Sequence, residues 1–445
     1  MKKLLAVLIA VSLLLSACAI KPQTEVEQPQ EKTDTSENKE DAKVQKQDEE
    51  VEPVEKVEEE IPLPESELIL WHSFSDDLQT ELERLVEVYN NSDRGIKVKT
   101  VKQEASNLKA ATDAAHKGEV DLLIAFPFEI TKENTESFIN LDEYINHEKI
   151  GLPDFDKILS GNLSKEGMEL GGRYMIPIVK TGELIYYNKT IFDSMGIQSP
   201  TTWDELAQVS ERILNEKGIA GFAAESSSEL ADLIISQYGD DVYRKDDFSL
   251  IQPKIIEAMI KLQNSYNLGS FKAPAEEGSL IGTFESGQLA MYMTSSYYSL
   301  FLNPEEMEFE VGYTPLPQNP EKPFQPLIGP SIGILKSDES RQRAAFDFIK
   351  YFISEQSNIE FVKKYHGISP FNYGGNTAYS EYLNANPSMK VLSGTMKDAG
   401  SIPAVKGIIE ARSHLKDIVN RIAAGEAVED VLNSVGMEIN GILKK

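Results

Sequence analysis

The chain has 445 residues, of which 72 are Asp or Glu and 44 are Lys or Arg, so its formal net charge at pH 7 is −28. Nucleic acid and anionic lipid carry charge of the same sign and are therefore poor partners. The single cysteine excludes an internal disulfide. The five histidines are scattered and form neither an HExxH motif nor a Cys/His cluster, so no metal or other cofactor is expected.

Residues 1–17 have the pattern of a signal peptide. Lys2 and Lys3 precede an apolar run over residues 4–15, which is shorter than the about 20 apolar residues that a transmembrane helix needs. The run ends at Leu15-Ser16-Ala17-Cys18, which resembles a bacterial lipobox. In a lipobox the cysteine thiol receives a diacylglyceryl group and becomes the new N-terminus, so Cys18 is the predicted lipidation site. An unmodified cysteine in an ordinary export signal is the alternative.

Residues 18–66 are predicted to form the lipidated cysteine and a disordered acidic linker. Between residues 19 and 67 there is no aromatic residue, and 17 Asp and Glu accompany six Lys. Such a segment cannot bury enough apolar surface to fold. A nascent helix is the alternative, but Pro53, Pro62 and Pro64 interrupt it. The linker would hold a globular body away from a membrane surface.

The composition becomes apolar at Leu68, where the globular body begins. Its roughly 380 residues exceed what one hydrophobic core usually supports, so two lobes are expected. Strands predicted at 68–72, 96–101 and 120–125 alternate with helices at 76–89 and 106–117. This alternation indicates an α/β protein with a parallel sheet and helices on both faces. Ligands meet such sheets beyond the carboxyl ends of the strands, which is where residues 71–74 and 126–129 lie.

The middle and the end of the body continue as a mixture of strands and helices. Two extended segments meet near Lys180, and a short helix at 191–195 follows them. A longer helix begins after Thr201 or Thr202, with Glu205 placed for a capping box. The remaining predicted elements are strands at 289–293 and 331–335, a proline-rich irregular crossing at 315–326, and helices at about 252–267, 279–287, 340–352, 355–364, 404–424 and 426–443.

Four stretches of the body carry a family resemblance. The most specific stretch is Tyr186-Tyr187-Asn188-Lys189 with Phe192, Met195-Gly196-Ile197, Pro200 and Thr202-Trp203-Asp204-Glu205-Leu206. The others are Trp71-His72-Ser73-Phe74, then Phe284-Glu285-Ser286-Gly287-Gln288-Leu289-Ala290-Met291 with Ser295-Ser296, and residues 346–352 with Gly367-Ile368-Ser369-Pro370. Together and in this order, over residues 67–442, they resemble the extracellular solute-binding proteins of carbohydrate-type ABC importers, including maltodextrin-binding and glycerol-3-phosphate-binding members.

The resemblance implies a two-lobe periplasmic-binding-protein-like fold of type II, with a ligand cleft between lobes joined by crossing segments. The first lobe would comprise 67–184 and 324–372, and the second lobe 185–323 and 373–445. The resemblance implies no catalytic residues, since binding and hinge closure, recognised by a membrane permease, are the mechanism. The expected protein is a monomer on the extracytoplasmic face of the cell membrane, held there by its lipid anchor, that delivers a sugar or oligosaccharide to the permease.

A sugar site needs aromatic platforms and a few placed polar groups. Five aromatic residues fall at strand-to-loop exits, although each of them taken alone is more often a core residue than a ligand contact. These platform candidates are Trp71, Phe74, Phe126, Tyr297 and Tyr298. Trp203, in the first turn of a helix, is predicted to pack rather than to bind.

The family comparison implies further residues at cleft-facing positions. These are His72, Lys180, Thr181, Glu183, Ser295, Ser296, Gly329, Ser331 and Lys406. His72 could instead cap its own strand end, and Lys180 could pair with Glu183.

The choice between a neutral and a phosphorylated ligand depends on departures from the family pattern. Glycerol-3-phosphate binders carry small hydroxyl residues where this chain has Lys180-Thr181 and Ser295-Ser296. However, the Gly-Tyr that they have near the C-terminal turn is Gly367-Ile368 here, and an expected arginine is Lys406. A lysine meets phosphate as a point charge and not bidentately. A neutral sugar or oligosaccharide is therefore preferred, with a polyol phosphate as the alternative.

Two other classes of protein remain open. A surface glycosidase would need two carboxyl groups about 5 Å or about 6.5 to 9.5 Å apart, and no motif places such a pair. An adhesin would fit the tether but not the two-lobe pattern.

Overall fold

The fold is taken from a computed structural model, which describes residues 63–104, 108–240, 242–243, 248–274, 279–302 and 307–444. The predicted signal peptide, Cys18 and nearly all of the linker lie outside the described residues. The described residues belong to one compact unit, Glu59–Lys445. No helix within them is long and apolar enough to cross a membrane.

The body is built from strands and helices in roughly alternating order. The strands are β1 Ser66–His72, β2 Ile96–Lys102, β3 Leu122–Ala125, β4 Ile176–Pro177, β5 Thr181–Asn188, β6 Ala220–Ala224, β7 Leu289–Ser295, β8 Val311–Thr314, β9 Gln325–Ile328, β10 Ser331–Ile334 and β11 Ala399–Gly400. The helices before the proline-rich segment are α1 Asp76–Asn90, α2 Leu108–Ala115, α3 Leu141–Ile145, α4 Phe155–Ile158, α5 Lys189–Met195, α6 Trp203–Lys217, α7 Ser227–Tyr238, α8 Pro253–Leu268 and α9 Ile281–Glu285. Those after it are α10 Glu339–Phe352, α11 Glu355–Tyr365, α12 Thr377–Ala385, α13 Pro387–Ser393, α14 Ile408–His414, α15 Lys416–Ala423 and α16 Val428–Leu443.

The first sheet has the strand order β2-β1-β3-β10-β4. Strands β1, β2 and β3 run parallel, as the alternation of strands and helices predicted. Strand β10 was recognised as a strand, but it runs antiparallel to both β3 and β4. Its direction could not be seen in the sequence, because the chain forms β5 to β9 before it returns to this sheet as β10. Leu68 and Leu70 point from β1 into the main core, and α1 and α10 cover that face.

The second sheet has the order β11-β9-β5-β7-β6, with β8 also paired to β5. Sequence patterns did not identify β6, β8, β9, β11 or α7. The prolines between 315 and 326 concealed β9, and the short β6 is apolar without alternation. The single helix predicted at 404–424 is in fact α14 and α15. The N–H of Leu415 bonds to the carbonyl of Arg412, three residues back, and this tighter turn separates the two helices.

Helix α6 begins as predicted. The Thr202 hydroxyl accepts a hydrogen bond from the Glu205 N–H at 3.3 Å, and the Glu205 carboxylate accepts one from the Thr202 N–H at 3.3 Å. This is the capping box, and it assigns the N-cap to Thr202 rather than Thr201. Trp203 packs against the core of the second sheet and donates its Nε1–H to Gln237 at 2.8 Å.

Two chain segments pass side by side from one sheet to the other. In the first sheet Ile332 pairs with Ile176, and in the second Thr181 pairs with Ile328, so the two segments stay antiparallel neighbours throughout. A β-carbon added to Gly329 would lie 2.0 Å from the carbonyl oxygen of Val179, which leaves room only for glycine. These paired segments are two of the segments by which the chain crosses between the lobes, each lobe being one sheet with the helices packed on it.

A buried ion pair lies within this crossing. The Lys180 side chain is fully buried, and its Nζ is 2.6 Å from Oε1 of Glu166, whose side chain is 5% exposed. The backbone of Lys180 also pairs with Ile368 through hydrogen bonds of 2.9 and 2.8 Å. The possible pairing of Lys180 with Glu183 does not occur. Removing one partner of such a buried pair leaves an uncompensated charge away from water.

We predict that Glu166→Ala lowers the free energy of unfolding by about 3 to 5 kcal/mol, because it leaves the Lys180 ammonium buried without a counter-charge. Urea denaturation at pH 7 would measure the loss. The double variant Glu166→Ala/Lys180→Met should recover much of it, since no buried charge then remains.

The matched control for this prediction is Glu321→Ala, which breaks the exposed pair of Glu321 with Lys254. Its effect should be much smaller, because solvent screens exposed ion pairs. Equal losses in Glu166→Ala and Glu321→Ala would contradict the importance of the buried pair.

Candidate functional site

The two lobes face each other across a groove. From the first lobe it is lined by Leu108, Phe128, Glu129 and Thr131, and from the second by Val405, Gly407, Ile408, Ile409, Glu410 and Ser413. Its volume is about 610 Å³, which lies in the range usual for small-molecule sites. The 3-10 helix Pro127–Glu129 carries Phe128 and follows directly after the carboxyl end of β3.

Direct contacts join the lobes at the edge of this groove. Lys406 Nζ lies 2.8 Å from Oε1 of Glu133, and the Ala404 N–H donates to Oε1 of Glu169 at 2.7 Å. Both acceptors belong to the first lobe, and both donors belong to the loop before α14. Lys406, predicted as a ligand-binding cation, is thus paired with a carboxylate across the groove.

A group of carboxylates lies at the end of the second sheet where β6 and β7 finish and β5 starts. Glu183 pairs in register with Ser295, and Glu225 follows the last residue of β6. Burial, and after it the charges of Glu229 and Glu225, raises the pKa of the Glu183 carboxyl to about 8. A carboxyl with this pKa is mostly protonated at neutral pH, so Glu183 can donate as well as accept a hydrogen bond.

The neighbours of Glu183 are engaged differently. The Tyr292 hydroxyl donates to the Glu225 carboxylate, and Arg412 forms ion pairs with Glu229 at 3.0 Å and with Asp232 at 2.6 Å. Among the described residues, Arg412 is the cation bound to this carboxylate group, and its bonds are directed to Glu229 rather than to Glu183. Sequence patterns missed Glu225, because β6 was not recognised. Had it been, the rule that ligands meet the carboxyl ends of strands would have selected this residue.

Tyr297 is the predicted platform that is most open to solvent. It is 40% exposed, and its ring centroid lies 5.9 Å from that of Phe301 and 6.4 Å from that of His366. The Ser295 hydroxyl accepts from the Tyr297 N–H at 3.3 Å and so caps the 3-10 helix Ser296–Leu300. His366, at the end of α11 in the first lobe, also forms a hydrogen bond of 2.9 Å with the hydroxyl of Ser299 in the second lobe. This contact between the lobes adds to those at the edge of the groove. The other aromatic candidate here, Tyr298, is buried in the core.

The aromatic candidates of the first lobe are partly buried. Phe126 stacks on Phe128 with ring centroids 5.3 Å apart, which connects it to the groove. Trp71 packs on the small cluster that also supports Leu108, a second groove residue. Phe74 instead packs against Phe361, with ring centroids 5.5 Å apart.

His72 caps the end of its own strand. It is 2% exposed, and its Nδ1 accepts from the Phe74 N–H at 3.2 Å. Burial lowers the pKa of its imidazole, so the ring is neutral at pH 7 and serves here as an acceptor.

The remaining polar candidates lie within the crossing and the second sheet. The Thr181 hydroxyl donates to the Ile328 carbonyl at 3.2 Å, and the fully buried Ser296 hydroxyl accepts from the Gly182 N–H at 3.5 Å. Gly329 is needed for the close approach to Val179. Ser331 is fully buried, and its hydroxyl has no hydrogen-bond partner within the described part of the chain. The fold therefore brings together Thr181, Glu183, Ser295 and Ser296. Most of their side-chain and backbone groups, however, already form hydrogen bonds within the protein.

A second groove of about 320 Å³ lies away from this region, between α6 and α8. Trp203, Tyr238, Leu262 and Phe271 line it. It belongs to the second lobe alone, so closure of one lobe on the other would not enclose a ligand there.

Several known proteins share this architecture. A cyclic α-maltosyl-1,6-maltose binding protein from Arthrobacter globiformis superposes with a TM-score of 0.73 and 21% sequence identity, covering 86% of this chain and all of its own. An extracellular solute-binding protein from Staphylococcus aureus in complex with maltose gives a TM-score of 0.68 at 16% identity, covering 85% of this chain and 97% of its own. UgpB from Mycobacterium tuberculosis in complex with glycerophosphocholine gives a TM-score of 0.62 at 18% identity, covering 85% of this chain and 98% of its own.

At the level of sequence, a putative binding protein of Brucella abortus (strain 2308) is 24% identical over 318 residues, which are 68% of this chain and 75% of the relative. The model of the bacterial extracellular solute-binding protein family matches residues 75–359. The matched region contains β2 to β10, and it includes the two paired crossing segments. With its two lobes and a groove between them, the chain belongs to the bacterial extracellular solute-binding protein family.

Proposed function

We propose that this protein is the substrate-binding lipoprotein of an ABC importer and that it carries a neutral sugar or oligosaccharide in the groove between its lobes to the permease. The observation that carries the proposal is the groove itself. It has an aromatic side chain, Phe128, on one lobe and the start of α14 on the other, and contacts between the lobes border it. Closure of the lobes would enclose a ligand held there.

The charges around the cleft favour a neutral ligand over a phosphorylated one. The two lysines among the predicted site residues are both paired with carboxylates, Lys180 with Glu166 and Lys406 with Glu133. Glu225 and Glu229 would repel a phosphate that approached Glu183. Sugar hydroxyls, in contrast, both donate and accept hydrogen bonds, which suits carboxylates, a protonated carboxyl and tyrosine hydroxyls.

The test of the proposal is a thermal-shift screen of the purified chain against maltodextrins, other neutral oligosaccharides and glycerol phosphates, followed by calorimetry. A neutral sugar should raise the melting temperature without being hydrolysed, because selective binding to the native state stabilises it. Preferential stabilisation by a glycerol phosphate would support the alternative ligand. Turnover of a glycoside would instead identify an enzyme.

We predict that Tyr297→Ala weakens binding of the identified sugar by more than about 1 kcal/mol, as expected when an aromatic anchor is truncated. Tyr297→Phe is the matched control, since it keeps the ring that would stack on the sugar. The same loss is expected for Trp71→Ala. Isothermal titration calorimetry would measure both, and unchanged affinity in Tyr297→Ala would remove this tyrosine from the site.

We predict that Glu183 makes stability fall as pH rises from about 4.5 to about 8. The folded pKa is about 8 against an ordinary value of 4.5, so in this window the folded chain binds more protons than the unfolded chain. The stabilising effect of its proton is therefore complete below pH 4.5 and lost above pH 8. Urea denaturation from about pH 4.5 to about pH 8.5 should show a shallower decline in Glu183→Gln than in the wild type.

The matched control for the pH series is Glu211→Gln, which changes an exposed glutamate on α6. It should keep the wild-type dependence on pH. If Glu183→Gln also kept it, Glu183 would not be the group that titrates in this window.

We further propose that a lipid on Cys18 holds the protein on the extracytoplasmic face of the cell membrane. A protein with several acyl chains on one cysteine stays attached, whereas a single chain binds only marginally. Cys18→Ser should therefore release an intact protein that still binds its ligand. Fractionation of cells into membrane and soluble material would measure the release, and full retention in the membrane fraction would contradict the anchor.

A further inference from the structure

Three side chains of metal-ligand type meet on the second lobe, where α14, α15 and α16 pack together. His414 is the last residue of α14, Asp417 lies in the first turn of α15, and Glu438 lies on α16. Each offers one ligand atom, and the three atoms all lie within 4.8 Å of one another. No linear motif joins them, because Glu438 is distant from the other two along the chain. The absence of a metal motif in the sequence therefore says nothing about this cluster.

We propose that His414, Asp417 and Glu438 form a Zn²⁺ site. Zinc binds histidine nitrogen and carboxylate oxygen at about 2.0 to 2.2 Å in a tetrahedron, so its ligand atoms are separated by about 3.4 Å. The Nδ1 of His414 and the Oε2 of Glu438 are already 3.3 Å apart, the length of one such edge. The Asp417 oxygen lies within 4.8 Å of both of these atoms, and water would fill the fourth position.

The charge of the cluster fits a divalent cation. A neutral imidazole and two carboxylates carry a total charge of −2, which one Zn²⁺ balances. The imidazole favours zinc over Mg²⁺ and Ca²⁺, which prefer ligand sets made of oxygen.

Arg421 interacts electrostatically with Glu438 and Asp417, but its pKa is raised mainly by its hydrogen bond to Glu426. Its guanidinium donates to Glu426 at 2.7 and 3.0 Å and to the Ser434 hydroxyl at 3.4 Å. It is therefore directed away from the proposed ligands.

The side chains are accessible to an ion from solvent. His414 is 34% exposed and Glu438 52% exposed at their side chains. Bound zinc would join the end of α14 to α16, and α14 is also the helix whose Ile409, Glu410 and Ser413 line the groove between the lobes. The site thus lies on the same helix as part of the proposed ligand groove, without sharing a residue with it.

The test is calorimetric titration of the purified full chain with zinc chloride, in a Cys18→Ser background so that no thiol can bind the metal. We expect one Zn²⁺ per chain, and at least about tenfold weaker binding in His414→Gln, Asp417→Asn and Glu438→Gln. His116→Gln is the matched control, because His116 is an exposed histidine just after α2 and outside the cluster. It should leave the affinity unchanged.

A second readout separates ligation from a change in folding. Co²⁺ in place of zinc should give the visible absorption of a tetrahedral site in the parent chain and in His116→Gln, and lose it in His414→Gln. In EDTA, where no metal is bound, the parent chain and all of the variants should have equal melting temperatures. The proposal is overturned if zinc does not bind, or if it binds the three cluster variants as tightly as the parent chain.

Discussion

The antiparallel pairing of two chain segments between the lobes constrains most of this structure. Their backbone groups must bond to each other, since each segment leaves one sheet before it joins the next. Hydrogen bonds between the two segments require their backbones to come so close that a side chain at position 329 cannot fit beside Val179. The same approach seals Lys180 away from water and makes its pairing with Glu166 necessary. A glycine, an ion pair and two strand registers thus follow from one geometric requirement.

Local patterns predicted the elements that depend on nearby residues. The first three strands, α1 and the capping box of α6 each have a signal within a few residues, and each was placed to within a few positions. Strands β6, β8, β9 and β11 could not be predicted in this way, because they are short and owe their conformation to partners far along the chain. Strand β9, for example, pairs with β5, although β6, β7 and β8 come between them in the sequence.

The candidate site shows the same limit. Tyr297, Phe74 and Phe126 were candidate platforms because each lies where a strand passes into a loop. Only the tertiary packing decides which of these side chains is exposed to solvent. Phe74 packs onto Phe361, while Tyr297 remains 40% exposed. The partners of Lys180 and Lys406 were equally invisible, because Glu166 and Glu133 come from other parts of the fold. Sequence indicated which residue types were available, and the tertiary contacts determined how many of them were already engaged.

The pair formed by Lys180 and Glu166 also has an evolutionary consequence. A lineage that replaces either residue first must pass through a chain with an isolated buried charge, which costs several kcal/mol of a marginal stability. Replacing both by apolar residues is physically acceptable, but it needs nearly simultaneous substitutions at two separate positions of the chain. The two positions should therefore change together or not at all among descendants of this chain, and the crossing between the lobes should be one of its most slowly diverging parts.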